Sequence, residues 1–496
     1  MKILVATGRC AENTVRESVG SNADVLVLDT DIAAFITPYK LIKALKSYHT
    51  QKYDIVFIPG FCLGDFSVVE DKFDTEVYLG PKHAYDLGYI LNYTNDFNFS
   101  KTVPACDLLS GIRKGLALDE VAEIEYNSTP LFTLEHLKIG GNSRIKVMAE
   151  IVNATSMDEE DLYYKIKEFI DKGADLIDLG ASLTASPEEV ERTVNVAKKY
   201  SSVPLSFDSL DPELIQAAIK NGINLILSLN SSNMNSLLDL IIDNNVSVVI
   251  IPDLGKGLQS LISNVEMAKQ HGIKNIIADP VLDSLGYGLV DSIGRYKEFR
   301  LRYPNIPMFF GVGNVTELID VDSVGVNGIL CGIAYETGCS IVFTPEFSDK
   351  NHGSIGELKI ASMMMLLSQK RNTSPKDLGI DLLQLKEKRK RSVMELCENP
   401  LYVSDSVTWL LDPKGPIKIG IIPKYSSIGS NFDKGLIVAK HEECCLVGTN
   451  SSAILNKLIE NNLVSRLDHA GYLGRELQKA EIALKFGRSY SQDDEF

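Results

Sequence analysis

Between residues 147 and 343 the chain repeats one pattern eight times: a short apolar run, a polar or acidic turn, then an amphipathic helical segment. The runs are 147–152, 176–179, 203–207, 223–229, 246–251, 275–278, 307–312 and 339–343. The eighth leads through a longer loop into a helical stretch around 355–367. Short runs that stay apolar on successive residues are strands buried on both faces, and helices between such strands make the sheet parallel. Eight βα units over roughly 225 residues have the size and period of a (β/α)8 barrel, expected here over 144–370. A doubly wound sheet is the second choice, because no switch-point motif interrupts the series.

The flanks read differently. A length of 496 residues suggests about three domains. Runs 3–6, 25–28 and 55–58, with Leu41, Ile42 and Leu45 at helical spacing, predict a parallel α/β unit over 1–130, Rossmann-like or flavodoxin-like in outline. No Gly-x-Gly-x-x-Gly follows its first strand, so a dinucleotide site is not indicated. Gly80-Pro81-Lys82-His83 reads as a turn, and Gly140-Gly141-Asn142-Ser143 as a linker. Beyond 370, the charge run from Lys386 to Arg391 reads as a solvated helix face. Candidate strands at 417–422 and 436–440 and two helical segments predict a small α+β domain over 400–496. In its last helix Leu473, Leu477, Ala480 and Leu484 share one face.

Composition excludes several classes. With 50 Lys+Arg against 66 Asp+Glu the net charge is −16, a field that opposes nucleic acid and anionic lipid. Eight cysteines without Cys-x-x-Cys, and seven scattered histidines, support neither a disulfide scaffold nor a zinc site. With no signal-like N-terminus and no apolar run of membrane-spanning length, the expectation is a cytoplasmic protein with a small-molecule partner. A homo-oligomer is left open.

A barrel carries its chemistry at the C-terminal ends of its strands. Here those ends present Asn153, Asp178, Asp208, Asn230, Asp253, Asp279 and Asn314 in order. Any one of these could cap the next helix, but seven in series point to a binding ring. Such a ring offers mostly acceptors with a few amide donors, and no Ser/His/Asp or Cys/His arrangement accompanies it. It suits a flat heterocycle with an N–H-rich edge, such as a 2-amino-4-oxo pyrimidine.

The segment from about 144 to 367 resembles the pterin-binding barrel of dihydropteroate synthases and pterin-dependent methyltransferases. The resemblance rests on Asn153-Ala154-Thr155, the stretch from Gly173 to Gly180, Pro204-Leu205-Ser206-Phe207-Asp208-Ser209, Asn221-Gly222-Ile223-Asn224 into Asn230, Ala278-Asp279-Pro280 and Gly311-Val312-Gly313-Asn314. With its N-terminal unit and the ending from His469 to Leu477, the chain is similar to archaeal dihydropteroate synthase-like proteins associated with tetrahydromethanopterin biosynthesis. The resemblance implies a pterin, as substrate or cofactor, on Asp208, Asn230 and Asp279, with Asp178 and Asn314 alongside, and Mg2+ or diphosphate at Asn153.

Three cationic positions of the synthases are neutral here. Gly313-Asn314-Val315 stands for a lysine-bearing loop, Phe343-Thr344-Pro345 for an Arg-x-His, and Ser182-Leu183-Thr184-Ala185 for an arginine-bearing loop. Lys256 or Lys350 is the candidate substitute for diphosphate binding. Asn314 is, by resemblance, what the methyltransferase branch places near N5 of a reduced pterin. The first expectation is therefore a transferase joining a 6-hydroxymethyl-dihydropterin diphosphate to an arylamine. A methyltransferase using a methyl-tetrahydropterin, a non-catalytic pterin-binding subunit, and a barrel unrelated to pterins remain as alternatives.

Overall fold

A computed structural model describes residues 1–48, 52–384, 399–404, 410–424 and 435–494. The charge run from Lys386 to Arg391 lies outside the described residues. The chain divides into two compact units, Met1–Ser128 with Ile360–Asp381 and Thr129–Lys359 with Leu382–Phe496.

The first unit holds β1 (Ile3–Thr7), β2 (Asp24–Val27), β3 (Ile55–Ile58) and β4 (Glu76–Leu79), paired in parallel in the order β2-β1-β3-β4. Alternation along β1 and β3 explains why both faces are covered. Ile3, Val5, Ile55 and Phe57 enter one apolar cluster, and Leu4, Ala6, Val56 and Ile58 the other. The sequence pattern misses β4 because an edge strand buries only alternate residues: Glu76 is exposed and Val77 buried. The helix Ser110–Asn127 packs Ala117 and Val121 against Leu366, Leu367, Leu378 and Ile380, which ties Ile360–Asp381 to this unit.

The second unit opens with a hairpin, β5 (Phe132–Leu134) and β6 (Leu137–Ile139). Eight parallel strands follow: β7 (Lys146–Ile151), β8 (Leu176–Gly180), β9 (Leu205–Asp208), β10 (Leu225–Leu229), β11 (Ser247–Ile250), β12 (Ile276–Ala278), β13 (Phe309–Gly311) and β14 (Ile341–Thr344). Their order is β12-β11-β10-β9-β8-β7-β14-β13, and the Ala278 N–H donates to the Pro307 carbonyl at 2.9 Å, closing the ring. Sequential neighbours with closure make this a (β/α)8 barrel and exclude the doubly wound alternative.

The barrel interior begins with Met148, Leu176, Leu225, Val249, Ile277, Phe309 and Ile341 near the strand starts. Leu134 and Ile139 of the hairpin pack into this same cluster, so the hairpin plugs the N-terminal end. The stretch Gly140-Gly141-Asn142-Ser143 is thus corrected from linker to tight turn. Gly140 and Gly141 have φ of 70° and 67°, and a Cβ on Gly141 would lie 2.0 Å from the Thr129 carbonyl oxygen.

The C-terminal part of this unit is an antiparallel sheet in the order β15 (Lys418–Ile422), β16 (Leu436–Lys440), β17 (Cys445–Gly448). The helices Ser451–Glu460 and Leu467–Phe486 cover it, the second through Leu473, Leu477 and Ala480 with Leu484. The sequence pattern misses β17, whose residues are all at least partly exposed. Among the described residues no helix is long and apolar enough to cross a membrane.

One buried carboxylate fastens the base of the barrel. Asp175, just before β8, accepts from Arg144 Nη2 and Lys359 Nζ, each at 2.6 Å, and from the Val147 N–H at 2.8 Å. Burial alone would raise its pKa, but Arg144 and Lys359 hold it well below the usual carboxylate range. Asp175→Ala removes the shared anion from two cations in a dry site, and the expected loss is about 3–5 kcal/mol of unfolding free energy by urea denaturation.

Candidate functional site

Two-residue alternation carries the interior pattern from apolar to acidic. Met148 faces inward on β7, so Glu150 does too; Leu176 on β8 sets the same parity for Asp178. Register then brings them together, because Glu150 pairs with Asp178, Asp178 with Ser206, and Gly180 with Asp208. Oxygens of Glu150, Asp178 and Asp208 lie within 4.8 Å of one another. Gly180 makes this approach possible, since a Cβ there would sit 2.8 Å from Glu150 Oε1. The strand-end reading missed Glu150 because it is three residues before Asn153, yet the inward parity of Met148 marks it.

Asp178 is fully buried. Its Oδ1 accepts from the Ser206 hydroxyl at 2.5 Å, and its Oδ2 has no hydrogen-bond partner among the described residues. Burial, then the charges of Asp208 and Glu150, push its pKa well up. Burial also lifts Asp208 to about 6. Glu150 rises to about 7 through burial and then repulsion from Asp208 and Glu317.

Across the mouth, Asp279 at the end of β12 accepts from the Tyr296 hydroxyl and the Val281 N–H, both at 2.8 Å and both at Oδ1. Burial still raises it to about 6, against those two hydrogen bonds. Val281 has φ 64°, a strained conformation for a β-branched residue. Its loop is held by Arg295, which donates to the Pro280 and Val281 carbonyls at 3.2 and 2.8 Å, and by Asn314 Nδ2, which donates to the Leu282 carbonyl at 2.9 Å. Asn314 is exposed, and its Oδ1 makes no hydrogen bond among the described residues. Asn230 is buried at the end of β10; its Oδ1 accepts from the Ser232 N–H at 2.9 Å and hydroxyl at 2.6 Å. Asn233 buttresses it by accepting from the Asn230 N–H at 3.0 Å.

The cations at the strand ends are engaged. Lys256 is exposed and paired with Asp253 at 3.0 Å, and Lys350 with Asp320 at 2.9 Å. Asp253 also accepts from the Ser231 N–H and Asn264, so it fastens loops. The sequence reading missed Arg192, which donates to the Thr155 carbonyl at 2.6 Å, and Arg295, because both lie a helix away from the strand ends. Phe343, where the resemblance implies a cation in the synthases, packs against Phe309 at 5.1 Å within the apolar interior.

Three converging carboxylates, one with an orphaned oxygen, form an all-oxygen set of the kind a hard divalent cation takes. Asn153, where the resemblance implies magnesium, is exposed with φ 55° and is not one of the three. A second cluster, Glu168, Glu346 and His352, already holds a cation, the Lys172 ammonium, which pairs with both glutamates.

Because the mouth acids titrate upward of their unfolded values, the folded state retains protons that the unfolded chain has released. Stability therefore falls as pH rises from about 4 through about 7. Glu150→Gln is expected to reduce that fall by about 2 kcal/mol, compared by urea denaturation at the two ends of the window. A pH profile identical to wild type would refute the coupling.

Two family models match segments of the second unit. Residues 149–288 match the model of pterin binding enzymes, and residues 411–493 match a PterinBD-DUF4346 model. The Methanocaldococcus jannaschii protein MJ0107 is 34% identical over 99% of this chain and 98% of its own length. Subunit gamma 2 of the Methanosarcina thermophila acetyl-CoA decarbonylase/synthase complex is 26% identical over 39% of this chain and 43% of its own. Among solved structures, Yersinia pestis dihydropteroate synthase with a pterine-sulfa conjugate covers 48% of this chain and 99% of its own, at 18% identity and TM-score 0.39. The Thermus thermophilus dihydropteroate synthase with 6HMPPP covers 45% of this chain and 93% of its own, at 19% identity and TM-score 0.37. Full-length identity with the Methanocaldococcus protein decides the matter: the chain belongs to that protein's family, and residues 149–288 of its barrel match the pterin binding enzymes.

Proposed function

We propose that the barrel mouth binds a dihydropterin and that the chain is a transferase, joining 6-hydroxymethyl-dihydropterin diphosphate to an arylamine in tetrahydromethanopterin-type biosynthesis. The observation that carries this reading is the acceptor-rich ring at the strand ends. Asp279 keeps Oδ2 clear of the Tyr296 and Val281 bonds, so this oxygen can accept from a ring N–H or amino group. Asn230 has its Oδ1 engaged, which leaves its amide donors for a ring nitrogen or carbonyl. Asp208, at the end of β9, is one of the three clustered carboxylates.

Loss of diphosphate requires positive charge, and the lysines and arginines around the mouth are tied to other groups. A magnesium ion held by Glu150, Asp178 and Asp208 would supply that charge. The chain's own contribution is to hold the ring flat between acidic and amide groups and to keep the Asp279 loop fixed through Arg295. In this reading Lys256 reaches the diphosphate only by leaving Asp253.

Purified protein with Mg2+, the dihydropterin diphosphate and an arylamine is expected to release diphosphate, and Asp208→Asn to abolish release. No turnover with any arylamine tried would overturn the synthase reading. Asp279→Asn is expected to weaken dihydropterin binding about 10- to 100-fold in calorimetry. Wild-type affinity should strengthen between pH 5 and pH 7.5, as carboxylates that titrate near about 6 become full acceptors.

A second reading, methyl transfer from a methyl-tetrahydropterin, is favoured by Glu150 and Asn314. Removing a methyl group from N5 leaves a nitrogen that must take up a proton, and a carboxyl titrating near about 7 can donate it. The local match to a subunit of the acetyl-CoA decarbonylase/synthase complex is compatible with the further alternative of a subunit without chemistry of its own. Asn314→Ala should then weaken tetrahydropterin binding and methyl transfer together; unchanged values would exclude it.

A further inference from the structure

The first unit contains a cavity of about 430 Å3, lined among others by Glu17, Asp86, Tyr89, Arg113, Glu120 and Arg371. All of them belong to Met1–Ser128 with Ile360–Asp381. Its two guanidiniums are held very differently. Arg371 is engaged at all three nitrogens: Nε and Nη2 donate to Glu120 Oε2 at 3.2 and 2.6 Å, Nη1 donates to the Leu378 carbonyl at 3.0 Å, and the group lies 4.9 Å from the Tyr85 ring centre.

Arg113 is not. Its side chain is only 7% exposed, and its one ion pair places Nη2 2.6 Å from Asp86 Oδ2. Nη2 and Asp86 Oδ2 answer each other in that ion pair, and Nε has no hydrogen-bond partner among the described residues. The Tyr89 hydroxyl, beside them in the cavity lining, is also buried without a partner. Two unpartnered polar atoms on neighbouring side chains, Arg113 Nε and the Tyr89 hydroxyl, are unusual in a finished core, where such atoms are nearly always satisfied. Both are donors, on side chains that line a cavity large enough for a small ligand.

The charge count narrows the ligand. Arg113 and Arg371 are balanced by Asp86 and Glu120, and Glu17 adds one further carboxylate. A simple oxyanion would enter a site whose cations are already neutralised, and a simple cation would meet Arg113. A molecule carrying both signs satisfies both halves. We propose that this cavity binds a small zwitterionic aminocarboxylate, with its carboxylate on Arg113 and Tyr89 and its ammonium on Asp86 and Glu17. The site is separate from the barrel mouth and does not depend on the pterin assignment.

The test is calorimetry and thermal shift on the full chain with each of the twenty amino acids in turn, and with acetate, methylamine and inorganic phosphate as single-charge probes. At least one amino acid is expected to bind, and the single-charge probes at least tenfold more weakly. Tyr89→Phe, which removes only a hydroxyl, and Arg113→Gln should each weaken that binding tenfold or more and leave dihydropterin affinity unchanged. Tyr89→Phe keeps the test valid if Arg113→Gln fails to fold. The proposal is overturned if no amino acid binds, if acetate or phosphate binds as tightly, or if Tyr89→Phe binds as well as wild type.

Discussion

Closure of eight short strands into a ring forces alternate residues of every strand into one narrow interior, and the rest of the second unit follows from that constraint. At the base the inward positions are apolar and the β5–β6 hairpin seals them. One and two layers higher the same positions are Glu150, Asp178, Ser206 and Asp208, which the strand register sets side by side. The barrel thus converts a local alternation into a concentration of carboxyl groups that no isolated βα unit could produce.

Crowding like charges in a poorly solvated space has an electrostatic cost, and the chain meets it with protons. Glu150, Asp178 and Asp208 are pushed upward together, whereas Asp175 at the opposite end is held down by Arg144 and Lys359. The two ends of one barrel therefore treat buried carboxylates in opposite ways. The base is a satisfied ion network suited to stability. The mouth holds acids that gain from a ligand bearing N–H groups or a positive ion.

The strain at Val281 belongs to the same design. Arg295 and Asn314 hold the Asp279 loop in a conformation a β-branched residue avoids, which fixes where the Asp279 carboxyl points. Arginine here positions backbone and does not face the mouth as a free cation, and this makes the site rich in acceptors and poor in fixed positive charge.

Much of this was legible in the sequence. Apolar runs at a βα period specify a parallel barrel because both faces of each strand must be covered, and Asp208, Asn230, Asp279 and Asn314 stand out because helix capping explains one such residue more readily than a series closing successive runs. The edge strand β4, the half-exposed β17 and the plugging hairpin were not legible, since partial burial blurs the hydropathy pattern. Glu150 escaped because its importance lies in facing Asp178, a matter of register between strands. The engagement of Lys256 by Asp253, and the unpartnered Nε of Arg113, depend on which side chains meet in space. Sequence alone determined the succession of elements and the chemical type of the strand ends, because period and polarity are local properties. Only tertiary structure decided which carboxylates crowd together and which cations are already engaged, because those follow from distances between segments far apart in the chain.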